Sequence, residues 1–188
     1  MPASHDHDKL PRSSRLLHWL VAALMLGLAG AGLYMSRAEA WALYPWHKSF
    51  GLLALLFIVV RLVQRLRLGL PDPVQPSSPA LHRAARWAHG ALLVLTLLLP
   101  LSGMLFSGAS GHGFGLFGLP LVPHQDDPAK PGEVLPYNAT LAELGQQAHH
   151  WGGYLLLALV ALHVLAALKH HFIDRDRTLL RMLGRRDG

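Results

Sequence analysis

The sequence contains no cysteine. This absence excludes Cys-ligated iron–sulfur clusters, thiolate-ligated haem, c-type haem attachment and disulfide bonds, so any metal ligand must be a histidine or an oxygen. Acidic residues are also few, with 11 Asp and Glu against 17 Lys and Arg, and the net charge is +6. The sequence has no internal repeat and no Gly-rich phosphate loop. Since the basic residues flank apolar runs, we interpret them as determinants of membrane topology and expect no nucleic-acid partner.

Formal charge is missing from long stretches of the chain. Residues 144–168 contain none, which is long enough for a helix that crosses a bilayer. Three further spans are predicted at 16–36, about 47–66 and about 84–107, and Pro100 should kink the third. The first span also resembles a signal peptide, but its apolar run is long and contains a histidine, so a retained helix is the better interpretation. The predicted fold is all-α, an integral membrane four-helix transmembrane bundle.

The polar segments set the predicted boundaries and orientation. We divide the chain into a polar N-terminal tail (1–15), a four-helix membrane domain (16–172) and a basic C-terminal tail (173–188). A proline-rich loop is predicted at 67–81, and a longer loop at 108–143 that could hold a short amphipathic turn around 116–121. Both tails and the 61–67 segment are basic and fall on one side of the bundle, so both termini are predicted to be cytoplasmic.

The fourth span carries histidines although ionisable groups are costly inside a membrane, and such groups are functional candidates by default. His149 and His163 are 14 residues apart, so they share one helix face and lie about 21 Å apart along the axis. His150 points about 100° away from His149 and does not share that face. Two histidines on one face at two depths suggest two metal centres, one near each membrane surface.

The predicted topology also assigns a depth in the membrane to two more histidines. His18 lies early in the first span, near the inner surface, and His47 opens the second span, near the outer surface. Matching by depth pairs His18 with His163 and His47 with His149, although His89 is also near the inner surface and could replace a member of the inner pair. Bis-histidine pairs between helices favour haem b over bare metal. The alternative is that these histidines are hydrogen-bonded packing residues.

The ordered set of motifs resembles the bacterial cytochrome b561 family, which is related to the cytochrome b subunits of nickel-iron hydrogenases and formate dehydrogenases. The resemblance covers about residues 12–183 and rests on RLLHWLV, WHKSFGLLALLFIVVRLVQRL, AHGALLVLTLLLPLSG and AHHWGGYLLLALVALHVLAALKHHFIDRDRTLLRM. It implies two haems b, ligated by His18 and His163 at the inner iron and by His47 and His149 at the outer iron. It also implies electron exchange with quinone, and some stand-alone members oxidise superoxide and reduce ubiquinone.

Further residues are candidates beside the predicted haems. His89 and His170 lie near the inner haem and are candidates for a quinone site. Arg15, Lys48 and Arg61 are candidates to pair with haem propionates, with interfacial anchoring as the alternative.

These features give a predicted function and its competitors. The first hypothesis is a multi-pass protein of the bacterial inner membrane, in lipid, that passes electrons from a small-molecule or protein donor at the outer face to ubiquinone. It would then be an enzyme of the superoxide:quinone oxidoreductase type. A haem-bearing membrane anchor subunit, which passes electrons between a partner dehydrogenase and the quinone pool, is the alternative. A histidine-based metal transporter without haem is a third possibility.

Overall fold

The computed structural model of the chain describes residues 11–69 and 78–184. Most of the predicted N-terminal tail, the centre of the proline-rich loop (70–77) and the last four residues therefore lie outside the described residues. Within them, four helices are long and apolar enough to cross a membrane. The helices are α1 (Arg12–Ala38), α2 (Tyr44–Leu68), α3 (Pro79–Ala109) and α4 (Ala139–Phe172), with a 3-10 turn at Trp41–Leu43 and a short α5 (Thr178–Leu183). The predicted helical membrane bundle is confirmed.

Local sequence explains where the helices begin and end. Ser78 and Asn138 precede α3 and α4, and their side chains accept hydrogen bonds from the backbone N–H groups of Leu81 and Leu141. These are N-caps, which satisfy backbone donors that have no partner inside the helix. At the other end of α2, Gly69 ends the helix with a φ of 73° that suits glycine. Each helix extends a few residues beyond the predicted apolar run, because caps and polar end turns add to the run itself.

The buried core lies between the two depths at which the histidines were predicted. It is formed by Val21 and Met25 of α1, Ala54 and Ile58 of α2, Leu99 of α3 and Leu156 of α4. The helices α3 and α4 pack most extensively, and α1 packs on α2. Gly145 allows this close approach, because a Cβ there would lie 2.6 Å from the backbone nitrogen of Phe106. Within the described residues, neither α1 nor α2 packs closely along α4.

The long loop after α3 contains a β-hairpin. Strand β1 (Phe114–Leu116) pairs antiparallel with β2 (Leu119–Val122). The chain reverses at 117–118, within the segment 116–121 where a short amphipathic turn was predicted, and glycines at 113, 115 and 118 favour a tight reversal over a helix. At Gly113 φ is +59° and a Cβ would collide with the carbonyl of Val122, so only glycine fits.

Polar groups of α2 and α3 hold this hairpin over the end of the bundle. Lys48 donates to the Gly113 carbonyl at 2.9 Å, and Ser107 donates to the same carbonyl at 2.6 Å. The Ser49 hydroxyl accepts from the backbone N–H of Phe117 at 3.0 Å. The loop therefore covers the end of the bundle at which His47 lies.

The segment after α4 folds back toward α1. The indole N–H of Trp19 donates to the carbonyl of Met182 at 3.1 Å, which ties α5 to the first helix. His170, in the last turn of α4, lies 3.0 Å from a carboxylate oxygen of Asp174 and 3.0 Å from one of Asp176. Part of the predicted C-terminal tail is therefore an ordered segment packed at the end of the bundle.

Candidate functional site: two histidine pairs

The first pair of histidines joins α2 and α4 below the hairpin. The ring centres of His47 and His149 lie 6.1 Å apart with the planes at 86° to each other. Both side chains are half-buried. His150, the neighbouring residue, is exposed and packs against Trp151 and Tyr154 instead. The structure thus places His149, and not His150, beside His47.

The orientation of the His149 ring is fixed by α3. Its Nδ1 lies 2.8 Å from the carbonyl oxygen of Leu99 and 3.3 Å from the hydroxyl of Ser102. Since a carbonyl only accepts, Nδ1 carries the proton and Nε2 is left with a free lone pair. Metal-binding histidines characteristically donate their second N–H in this way, which fixes the tautomer and the ring direction. His149 is therefore held in the form that can ligate a metal.

The second pair joins α1 and α4 near the other end of the bundle. The ring centres of His18 and His163 lie 6.4 Å apart with the planes at 67°. His89 of α3 is also close, with its ring centre 5.4 Å from that of His163. Its Nδ1 donates to the Ala85 carbonyl at 2.8 Å, so its Nε2 is free as well. The structure brings the predicted inner partners together and places His89 at the same site, so both ligand sets remain open on geometry alone.

The structure separates the basic residues that were predicted to contact propionates. Arg61 lies at the inner pair, with its Nη2 2.9 Å from Nδ1 of His18. Lys48 is near the outer pair, but its ammonium group is held by loop carbonyls and lies 4.5 Å from the centre of the Tyr44 ring. Arg15 packs over Gly184 at the end of α5. Arg61 is therefore the one of the three with a direct contact to a predicted ligand.

The two quinone candidates also differ in position. His89 lies against His163 and is exposed to the surroundings of the bundle, as a residue that meets a lipid-soluble substrate should be. His170 is two helical turns beyond His163 and faces Asp174 and Asp176 of the C-terminal segment. Their role at a quinone site stays a prediction.

The spacing of both pairs fits the axial ligation of haem. An imidazole nitrogen binds a transition metal at about 2 Å, so two rings on opposite sides of one ion have their centres about 6 Å apart. The observed separations of 6.1 and 6.4 Å match this value. Gly51 and Gly153 lie one turn beyond His47 and His149, and the space that a Cβ would fill at either glycine is open. Within the described residues, no His, Asp and Glu side chains form a group of three or more suited to hold a bare metal ion.

Some residues of the site could not have been found by searching for ligands. The contacts from Leu99 and Ser102 to His149 depend on the packing of α3 against α4, and Leu99 acts through its backbone. One signal was present, because Ser102 and Gly103 follow Pro100 inside an otherwise Leu-rich span. Small and polar residues at such a position are typical of close helix contact in membranes.

Gly103 gives a sharp test of the outer pair. A Cβ at this position would lie 2.9 Å from Cε1 and 3.0 Å from Nδ1 of His149, which is closer than real contacts allow. We expect Gly103→Ala to displace the His149 ring and to lower the content of one haem by about half or more, since misplacing a ligand by a fraction of an ångström weakens a metal site. Haem per chain, measured as the pyridine haemochrome, checks this. Leu105→Ala, two residues on in the same helix and 41% exposed, is the control and should keep the wild-type content.

His112 makes the covering loop sensitive to pH. Partial burial, then the charge of Lys48 and then His124 hold the pKa of His112 below its ordinary value. Because the unfolded loop binds this proton more readily than the folded loop, the folded loop keeps its full stability above about pH 6.5 and loses stability as the pH falls below it. Its Nδ1 lies 3.0 Å from Ser110, and its ring packs on Tyr44.

We expect amide hydrogen exchange in residues 110–116, corrected for intrinsic rates, to be faster at pH 5.5 than at pH 7.5. The variant His112→Gln should show the same corrected rate at both pH values. If it keeps the wild-type pH dependence, another group is responsible.

Comparisons with known proteins place the whole chain in one family. Residues 9–185 match the family model of prokaryotic cytochrome b561. Cytochrome b561 homolog 2 of Escherichia coli is 36% identical over 183 residues, which cover 92% of this chain and 89% of that protein. The probable superoxide oxidase CybB of Yersinia pestis is 28% identical over 176 residues, covering 92% and 94%. Cytochrome b562 of Cereibacter sphaeroides is 31% identical over 177 residues, covering 89% and 90%. The chain therefore belongs to the prokaryotic cytochrome b561 family, whose members are membrane proteins that bind haem b and transfer electrons.

Proposed function

We propose that this chain is a dihaem cytochrome b of the bacterial inner membrane that takes electrons from a donor at its outer face and delivers them to ubiquinone. The observation that carries this proposal is the presence of two histidine pairs with nearly the same ring separation, 6.1 and 6.4 Å, at opposite ends of one helix. His47 and His149 would hold the outer haem, and His18 and His163 the inner haem. Each haem b, when bound, accepts and releases one electron.

The ligand pairs also restrict the chemistry. Each haem would be held by two histidines of this chain, which would leave no position on the metal for a substrate. Donor and acceptor would therefore exchange electrons from outside the ligand sphere. The chain's task is to fix the two sites, to keep their distance constant and to let each substrate approach the correct end.

Superoxide is the donor that we favour at the outer end. The relative in Yersinia pestis is named a probable superoxide oxidase, and this chain covers 94% of that protein. The outer end carries Lys48 and Lys130, and positive charge attracts an anionic donor, although the structure pairs Lys130 with Glu133. The balanced reaction takes two superoxide anions, one ubiquinone and two protons to two dioxygen molecules and one ubiquinol.

At the inner end, His89 is the better placed residue for the acceptor. Its ring lies 5.4 Å from that of His163 and its Nε2 carries a free lone pair, so Nε2 can take up a proton and then donate it to a quinone oxygen. His170, paired with two carboxylates, could supply protons from the solvent side. Both are exposed or half-exposed at this end of the bundle.

The proposal is tested in two steps on the purified full chain in lipid nanodiscs. First, a reduced-minus-oxidised spectrum and the haem content should give about two bis-histidine b-type haems per chain. Second, superoxide generated by xanthine oxidase should reduce the haems and convert added ubiquinone to ubiquinol without a partner protein, and superoxide dismutase should abolish both. One haem per chain would remove the dihaem proposal. Two haems that superoxide does not reduce would leave the haem-bearing anchor subunit as the better function.

A further inference from the structure

A crevice at the end of the bundle where α1 begins has none of the paired histidines among its lining residues, although its Trp19 ring lies 5.2 Å from that of His18. It has a volume of about 400 Å³ and is lined by Arg12, Arg15, Leu16, Trp19, Met182 and Leu183. This volume is within the range of about 300–1,000 Å³ that is typical of small-molecule sites. One wall is the first two turns of α1, and the other is the end of α5.

The walls of the crevice are fixed by two contacts. Trp19 donates its indole N–H to the Met182 carbonyl at 3.1 Å. The guanidinium of Arg15 packs directly over Gly184, where a Cβ would collide with it. Gly184 has a φ of +76°, so a glycine is needed there both for its conformation and for the space. The crevice is therefore formed by two elements that are joined at its floor and at its rim.

The crevice combines basic and exposed apolar side chains. The arginines lie in the first turn of α1, and Trp19 lies seven residues beyond Arg12 and four beyond Arg15, about 10 Å and about 6 Å along the helix axis. Leu16, Trp19 and Leu183 are 72%, 44% and 54% exposed, so large apolar surface faces outward beside the two arginines. Of the described residues that line the crevice, none is acidic. The arrangement offers positive charge next to exposed apolar surface at one end of the bundle.

We propose that this crevice binds one anionic phospholipid, with its phosphate between Arg12 and Arg15 and its acyl chains against Leu16, Trp19 and Leu183. Arginine suits the phosphate because its fork of N–H donors matches the phosphate oxygens. Basic pockets at the cytoplasmic ends of membrane helices are favourable sites for anionic headgroups, and the positive-inside rule places both termini there. The inference goes beyond the proposed electron transfer and does not depend on it.

The test is native mass spectrometry of the delipidated full chain in detergent, titrated with dioleoylphosphatidylglycerol or dioleoylphosphatidylcholine. We expect the wild type to bind a first phosphatidylglycerol at least about tenfold more tightly than phosphatidylcholine. The double variant Arg12→Gln/Arg15→Gln should weaken the binding of the first phosphatidylglycerol by about ten- to thirtyfold. The matched control is Arg83→Gln/Arg86→Gln, two exposed arginines at the same end of the bundle on α3. It should weaken binding less than about twofold.

Competition with inorganic phosphate distinguishes a lipid site from a simple anion site. Phosphate at millimolar concentration should not displace phosphatidylglycerol, because the acyl chains contribute to binding. A thermal unfolding midpoint equal to that of the wild type would show that the double variant is folded. Equal losses in both double variants, equal affinity for the two lipids, or displacement by phosphate would each overturn the proposal.

Discussion

Replacing His149 with alanine is expected to lower the haem content of the purified chain from about two to about one, whereas replacing its neighbour His150 should leave both haems in place. The reason is the different surroundings of the two residues. The His149 ring is half-buried, lies 6.1 Å from the His47 ring and is oriented by the Leu99 carbonyl. His150 is exposed and packs on Trp151 and Tyr154. The two variants differ by one position in the chain, so general effects on helix stability are matched.

The pairing itself predicts how the variants combine. His47→Ala and His149→Ala should remove the same haem, and the double variant should lose no more than either single variant, because the two residues serve one site. His149→Ala combined with His163→Ala should remove both haems. Haem per chain and the low-temperature α-band, in which the remaining haem can be identified, are the measurements. Loss of the same haem in His149→Ala and His163→Ala would rule out the two-site arrangement.

The inner site needs one more comparison because His89 is also close to His163. We expect His18→Ala to lose the inner haem and His89→Ala to keep it while ubiquinol formation slows. The opposite result would assign the inner ligand to His89 of α3 instead of His18 of α1. Either outcome also decides whether His89 is free to act on the quinone.

Much of this architecture could be predicted from the chain alone, because hydropathy and charge decide it. In a membrane, backbone groups must be satisfied within the segment, so each long apolar run becomes a helix. The helical period then places His149 and His163 on one face, and topology gives His18 and His47 their depths. Hydropathy, helical period and topology can all be read along the sequence, and the structure brings the four histidines together in the two expected pairs.

The remaining features depend on how the elements meet in three dimensions. The Leu99 carbonyl that orients His149 is a backbone group, which no residue pattern identifies. The hairpin depends on glycine conformations and on hydrogen bonds with Ser107, six residues before Gly113, and with Lys48 and Ser49, which are 65 residues or more from their partners in the sequence. For the same reason Lys48, Arg15 and Arg61 looked alike as basic residues at span ends, although only Arg61 contacts a histidine of the pairs.

Arg61→Gln is expected to lower the midpoint potential of one of the two haems by about 50–100 mV. The guanidinium lies 2.9 Å from Nδ1 of His18, and a unit charge about 7 Å from a reacting centre contributes about 2 kcal/mol at an effective dielectric constant of about 20. Since 59 mV corresponds to about 1.4 kcal/mol for one electron, that contribution is about 80 mV. A positive charge stabilises the reduced form, which carries the extra electron, so its removal makes reduction harder.

The hydrogen-bonding capacity of Arg61 strengthens this expectation. A guanidinium only donates, so its contact with Nδ1 of His18 requires that nitrogen to be an acceptor. A histidine that ligates metal through Nε2 carries its proton on Nδ1, so haem binding would turn Arg61 away from His18. Nη1 of Arg61 is buried and has no hydrogen-bond acceptor among the described residues. A propionate carboxylate is an acceptor that would satisfy both nitrogens and keep the charge beside the inner haem.

Redox titration followed at the α-band measures the effect. Arg61→Lys should keep most of the wild-type potential because the charge is retained. Arg67→Gln, an exposed arginine in the last turn of the same helix, should shift neither haem by more than about 20 mV, because solvent screens its charge. Arg61→Gln could instead lower the midpoint potential of the haem that is lost in His149→Ala, or the potential of neither haem. Either result would show that Arg61 does not belong to the inner site. A shift confined to the haem that is lost in His18→Ala would identify Arg61 as the residue that sets the potential at the quinone end of the pathway.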